Sequence, residues 1–176
     1  MSQIQEQGVE IGQRDEPLHV HPPLLALTLL VLGLFFHLLG EAHRSLFPLH
    51  QLVGLALVAA GAGLACYAGA LFAAAKTTKN PYGEPVALVI VPPYTATRNP
   101  MYVGLTTILL GFAIFFGSAA MLLASIVFVI ILNRMVVPRE EATMERIYGQ
   151  RYLDYKNQVP RWLRMQSFQL FGSWTS

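Results

Sequence analysis

The chain has 176 residues, the size of one domain, with 54% hydrophobic and 12% charged residues, about half the charge of a soluble globular domain. A soluble chain this short has no interior large enough for so much apolar surface, so the composition excludes a soluble fold and calls for a bilayer. A net charge of +2 is too weak to suggest a nucleic-acid partner, and the single Cys66 excludes a disulfide framework or a cysteine-based metal site.

Residues 1–21 are polar, with Glu6, Glu10, Arg14, Asp15 and Glu16, and lack the basic-then-apolar order of a cleavable signal. They read as a polar cytoplasmic tail ahead of one membrane domain over 22–176. Residues 24–39 form an apolar run led in by Pro22-Pro23 and carrying His37. The stretch 52–75 has 24 residues without a charge, long enough to cross a hydrocarbon core of about 30 Å. Its Gly54, Gly61, Gly63 and Gly69 are small enough for close helix approach in lipid, where packing holds helices together. Two further apolar runs, 101–116 and 119–132, are separated only by Gly117-Ser118 and read as a tight helical hairpin. Its arms are about 21–24 Å long at 1.5 Å per residue. The predicted fold is an all-α integral membrane bundle of about four spans.

With four spans, the N-terminus, the 76–100 loop and the C-terminal tail share one side of the membrane. That side carries eight basic residues near the spans: Arg14, Lys76, Lys79, Arg98, Arg134, Arg139, Arg146 and Arg151. The other carries Arg44 alone. The asymmetry predicts that both termini are cytoplasmic. Beyond the hairpin, Pro138 is suited to the first position of a new helix, with Glu140 and Glu141 in its first turn. Met144, Ile147, Tyr148, Tyr152 and Tyr155 recur at three- and four-residue spacing, which predicts a cytoplasmic amphipathic helix with a possible break at Gly149.

The segments 92–102 and 138–152 abut the two ends of the hairpin, so Arg98 and Tyr102 should lie near Glu140 and Glu141. Each residue has a plain reading. Asn99 is a good N-cap and Pro100 a good first helical residue. Arg98 suits a positive-inside anchor, and Tyr94 and Tyr102 an aromatic belt. The glutamates suit solvated first-turn acids. Their concentration at one membrane face points to a pocket. His37 and Glu41 lie near the opposite face, where a neutral histidine bonded to a neighbouring helix is the better reading. The chain has no GxGxxG, P-loop or HExxH pattern.

At these two segments the sequence resembles the isoprenylcysteine carboxyl methyltransferase and phospholipid methyltransferase superfamily of integral membrane enzymes. The resemblance rests on Thr77 and Pro81, Pro93-Tyr94, and TRNPMY from Thr97 to Tyr102. It continues through Glu140-Glu141, Tyr148-Gly149, Tyr152, Tyr155 and VPRW at 159–162. It departs at Pro92, usually glycine, at Thr95, often basic, and at Asn99, where the isoprenylcysteine enzymes have histidine. The last departure argues against a strict isoprenylcysteine substrate, and many bacterial relatives share the asparagine, in keeping with a bacterial inner membrane.

The resemblance implies S-adenosylmethionine as cofactor and a lipophilic or small nucleophilic methyl acceptor. A cofactor site over Tyr94, Arg98, Asn99, Pro100, Tyr102, Glu140, Glu141 and Tyr152 follows from it, with Arg98 and Glu141 as catalytic candidates. Arg98 would meet a carboxylate, and Glu140 or Glu141 an ammonium or ribose. The three tyrosines would line the walls and attract the sulfonium. Two rival readings are a nicotinamide-dependent reductase of the sterol-reductase type and a non-catalytic membrane adaptor of the same fold.

Overall fold

The computed structural model describes residues 21–40, 48–77 and 88–163. Among these, all regular structure is helical: α1 (Pro22–Gly40), α2 (Pro48–Thr77), α3 (Pro100–Phe116), α4 (Ala119–Ile131), a π-helical turn (Leu132–Val136), α5 (Val137–Tyr148) and α6 (Gln150–Gln158). The polar tail before residue 21, the segment with Glu41, His43 and Arg44, and Lys79 and Pro81 lie outside the described residues.

Proline opens α1, α2 and α3, where its missing N–H costs nothing and its fixed φ suits the first turn. The predicted hairpin forms at Gly117. This residue ends α3 in the left-handed region (φ 61°), and Ser118 caps α4 by accepting from the Met121 N–H. Among the described residues, three helical stretches are long and apolar enough to cross a membrane: Pro22–Gly40, Leu49–Ala74 and Ala119–Tyr148. The fourth apolar helix, Pro100–Phe116, has 17 residues, or about 25 Å at 1.5 Å per residue. Leu27, Val31, Leu38, Leu52 and Leu55 face outward, exposed, an arrangement that only a lipid environment favours.

The α2–α3 contact is the most extensive, and α4 joins α3 to α1. Glycine sets the first spacing. A Cβ on Gly61 would stand 2.6 Å from the Gly104 carbonyl oxygen, and one on Gly54 would stand 2.7 Å from that of Gly111. Both pairs lie seven residues apart, so they form one seam, which the buried Ala68 continues toward the site. Gly63 and Gly69, expected to act alike, face open space. Gly61→Val should therefore cost about 1–3 kcal/mol or more through overpacking, and Gly63→Val should stay within about 0.5 kcal/mol of wild type. Thermal unfolding in detergent would measure both, and equal losses would contradict the seam.

Pro138 lies in the first turn of α5 with Glu140, as expected, but α5 follows the π-turn without a break, so the last span runs on from Ala119 to Tyr148. A proline inside a helix crowds the carbonyl four residues back and cannot donate. The π-turn just before it, where the Val137 N–H reaches the Leu132 carbonyl, widens the helix at that point. The break comes at Gly149, with φ 54°. His37 is buried beneath the opposite face, its ring 5.6 Å from that of Phe116.

Candidate functional site

The chain enters the site through residues 91–99, a non-helical segment that includes a cis Pro92–Pro93 peptide. Two tyrosines fix it. The Tyr94 hydroxyl donates to the Ala68 carbonyl of α2 (3.1 Å), and the Tyr155 hydroxyl of α6 donates to the Tyr94 carbonyl (2.7 Å). The far end is tied to the segment after α6. The Arg98 N–H donates to the Pro160 carbonyl (3.0 Å), while Thr97 Oγ1 (2.8 Å) and Asn99 Nδ2 (3.0 Å) both donate to the Arg161 carbonyl. Asn99 thus occupies the N-cap position of α3 without capping it through its side chain. Its amide is spent on the strap formed by 159–162.

The acids separate by direction. Glu140 is exposed and accepts from the Tyr102 hydroxyl at 2.6 Å. Glu141 turns inward, 5% exposed, and both of its oxygens are engaged. Arg161 Nε and Nη2 bind it in bidentate fashion at 2.9 and 2.7 Å, Arg98 Nη1 lies 3.1 Å from Oε1, and Lys156 Nζ lies 3.8 Å from Oε2. Lys156 also pairs with Glu145. Asn133 Oδ1, on the π-turn, accepts from Arg161 Nη1 (3.2 Å) and from Trp162 Nε1 (3.1 Å). Glu141 is therefore a hub held by protein cations, not the solvated first-turn acid of its plain reading.

All eight residues singled out in the sequence (Tyr94, Arg98, Asn99, Pro100, Tyr102, Glu140, Glu141 and Tyr152) line one cavity of about 430 Å³. Phe72, Leu88, Val89, Met101 and Met144 supply its apolar wall. That volume falls in the ordinary range of small-molecule sites. Arg98 dominates the chemistry. Its side chain is 9% exposed, and neither Nε nor Nη1 has a hydrogen-bond partner among the described residues. A buried guanidinium is costly unless an anion completes it; Glu141 lies beside Nη1, and Nε has no partner among the described residues. Burial pushes the Tyr94, Tyr152 and Tyr155 hydroxyls above the ordinary tyrosine value. They remain protonated at neutral pH and serve as donors and walls rather than bases. The hydrogen bond to Glu141 raises Arg161, which stays charged.

Arg161 and Asn133 escaped the sequence reading. Arg161 stands inside VPRW, a motif read only as an ending, and Asn133 closes an apolar run with no periodicity to mark it. Their pairing across the strap is a tertiary contact with no local signal.

Comparison with known proteins closes the description. Residues 49–151 match the family described as Phospholipid methyltransferase, a stretch holding every cavity residue named in advance except Tyr152. An uncharacterized protein of Haemophilus influenzae is 36% identical over 63 residues, which cover 36% of this chain and 100% of that protein. No solved structure matches the chain.

Proposed function

Because this chain belongs to the phospholipid methyltransferase family, we propose that it transfers a methyl group from S-adenosylmethionine bound in the cavity between the 88–99 segment, α3, α5 and α6. The observation that carries this reading is the Arg98 guanidinium, which lines that cavity with its Nε unpartnered among the described residues and Glu141 beside its Nη1. A guanidinium suits a carboxylate, and the methionyl end of the cofactor has one.

When bound, S-adenosylmethionine supplies a methyl group made electrophilic by its sulfonium. Arg98 donates to the carboxylate through charge-assisted hydrogen bonds. Glu140 stands on the wall within reach of Tyr102 and takes an ammonium or ribose hydroxyl, while Glu141, committed to Arg161, holds the frame. The faces of Tyr102 and Tyr152 attract positive charge. The apolar wall of Phe72, Leu88, Met101 and Met144 excludes water and fits a lipophilic acceptor. Methyl transfer by in-line displacement needs positioning above all. With the tyrosines protonated and Glu141 engaged, the acceptor arrives already nucleophilic, as a carboxylate, thiolate or amine. The basic asymmetry of the loops supports a cytoplasmic orientation for this face.

S-adenosylhomocysteine should raise the melting temperature of the detergent-solubilised protein, by linkage worth about 2.7 kcal/mol at 100 times its dissociation constant. NADPH should leave it unchanged. A shift with NADPH alone would favour the reductase reading, and no shift with either ligand the adaptor.

A further inference from the structure

We infer that Arg134, Arg139 and Arg146 form a docking stripe for the phosphate of an anionic phospholipid in the leaflet on the cavity side. The last span is one unbroken helical run from Ala119 to Tyr148, and one exposed stripe climbs it. Leu123, Ile126 and Ile130 come first, then Arg134, Arg139, the small pair Ala142-Thr143 and Arg146, all of them exposed. The steps are of three or four residues, the spacing of one helix face. The one longer step, from Arg134 to Arg139, passes the π-turn, which has more residues per turn. A surface that meets acyl chains at Ile126 and Ile130 meets headgroups further along. Counted from Ala119 at 1.5 Å per residue, a core of about 30 Å ends near Arg139. Arg134 lies below that level and Arg146 about 10.5 Å above Arg139, so long side chains reach the headgroup layer from both sides.

The charge on this stripe is unbalanced. Among the described residues none of the three arginines makes an ion pair or a side-chain hydrogen bond. The acids of α5 are engaged elsewhere: Glu140 accepts from Tyr102, Arg161 and Arg98 hold Glu141, and Lys156 pairs with Glu145. Between Arg139 and Arg146, Ala142 is small and Thr143 spends its hydroxyl on the Arg139 carbonyl (3.0 Å). That leaves a low gap flanked by two cations. A phosphodiester carries the complementary charge and accepts from guanidinium groups, and a lipid presents it at this depth. Arg139 and Thr143 also line the cavity, so the docked headgroup stands at its mouth. The stripe recognises net negative charge, and the inference does not rest on the cofactor reading.

The test titrates the detergent-solubilised protein with dioctanoyl-phosphatidylglycerol and reads the dissociation constant by calorimetry. Dioctanoyl-phosphatidylcholine, with the same chains and no net charge, and glycerol phosphate, with the anion and no chains, are the comparison ligands. The anionic lipid should bind at least about tenfold more tightly than either, and added salt should narrow the difference. An interfacial arginine contributes a factor of about five, so Arg139→Gln and Arg146→Gln should each weaken phosphatidylglycerol binding by about fivefold. The triple glutamine variant should lose about a hundredfold, with phosphatidylcholine binding unchanged. All three side chains are exposed, so the variants should melt with wild type. Arg151→Gln is the control, since Arg151 is exposed on α6 and off the stripe; it should bind as wild type. Equal affinity for the two lipids overturns the inference, and so does a triple variant that keeps the preference. Glycerol phosphate binding as tightly as the lipid means a site for a soluble anion, and overturns it too. A loss in Arg151→Gln equal to that in Arg139→Gln means that net charge alone attracts the lipid, with the same consequence.

Discussion

Arg98→Lys should weaken S-adenosylhomocysteine binding by about 10- to 150-fold, since charged hydrogen bonds contribute about 1.5–3 kcal/mol and 1.4 kcal/mol is a factor of ten. Lysine keeps the charge but presents a compact ammonium in place of a planar group with five donors. Arg98→Ala should lose at least as much. Arg98→Lys should barely alter the melting temperature without ligand, because the ammonium keeps a charge beside Glu141, whereas Arg98→Ala forfeits the 3.1 Å ion pair with that buried carboxylate and should lower it. The backbone bond from the Arg98 N–H to Pro160 survives either change. An anchoring arginine predicts instead wild-type affinity in both variants. Isothermal titration and thermal unfolding on the same preparations distinguish the two patterns.

Glu141→Ala should cost about 3–5 kcal/mol of stability, the penalty for removing one partner of a buried ion pair. Its carboxylate, 7% exposed, faces Arg161 and Arg98, and its loss leaves two guanidinium groups at one end of a largely apolar cavity. Glu141→Gln keeps the shape and part of the hydrogen bonding, and should lose about 1–3 kcal/mol. A solvated first-turn acid contributes only about 0.3–1 kcal/mol through the helix dipole, so the two readings differ several-fold. Glu140→Gln is the internal control. Glu140 is exposed, and its neutralisation should lower ligand affinity with little change in the melting temperature. Equal melting temperatures for the two glutamine variants would mean that Glu141 is not the hub.

The membrane bundle and the neighbourhood of the site were legible in the sequence for the same physical reason: the signals are local. An uncharged run of 24 residues needs lipid wherever the rest of the chain goes. Gly117-Ser118 reverses the chain through its own backbone preferences, and that reversal brings residues 98–102 to 140–141, with Tyr102 bonded to Glu140. The TRNPMY and EE segments therefore share a cavity as expected.

What the residues do to one another within that cavity was decided by tertiary structure. Two adjacent glutamates are equivalent in sequence, but the fold buries Glu141 among Arg98 and Arg161 and leaves Glu140 exposed at the cavity wall beside Tyr102. Likewise, Gly54 and Gly61 differ from Gly63 and Gly69 only in which side of α2 meets α3. Arg161 lies 20 residues beyond Glu141 and 28 beyond Asn133, and nothing local couples those positions. Their meeting depends on α6 folding back at Gly149 and on the strap bonding to 97–99. Composition and spacing report the cost of exposing each segment to water. The partner of a buried charge depends on which segments the fold brings within 3 Å of it, and that was settled only when the helices packed.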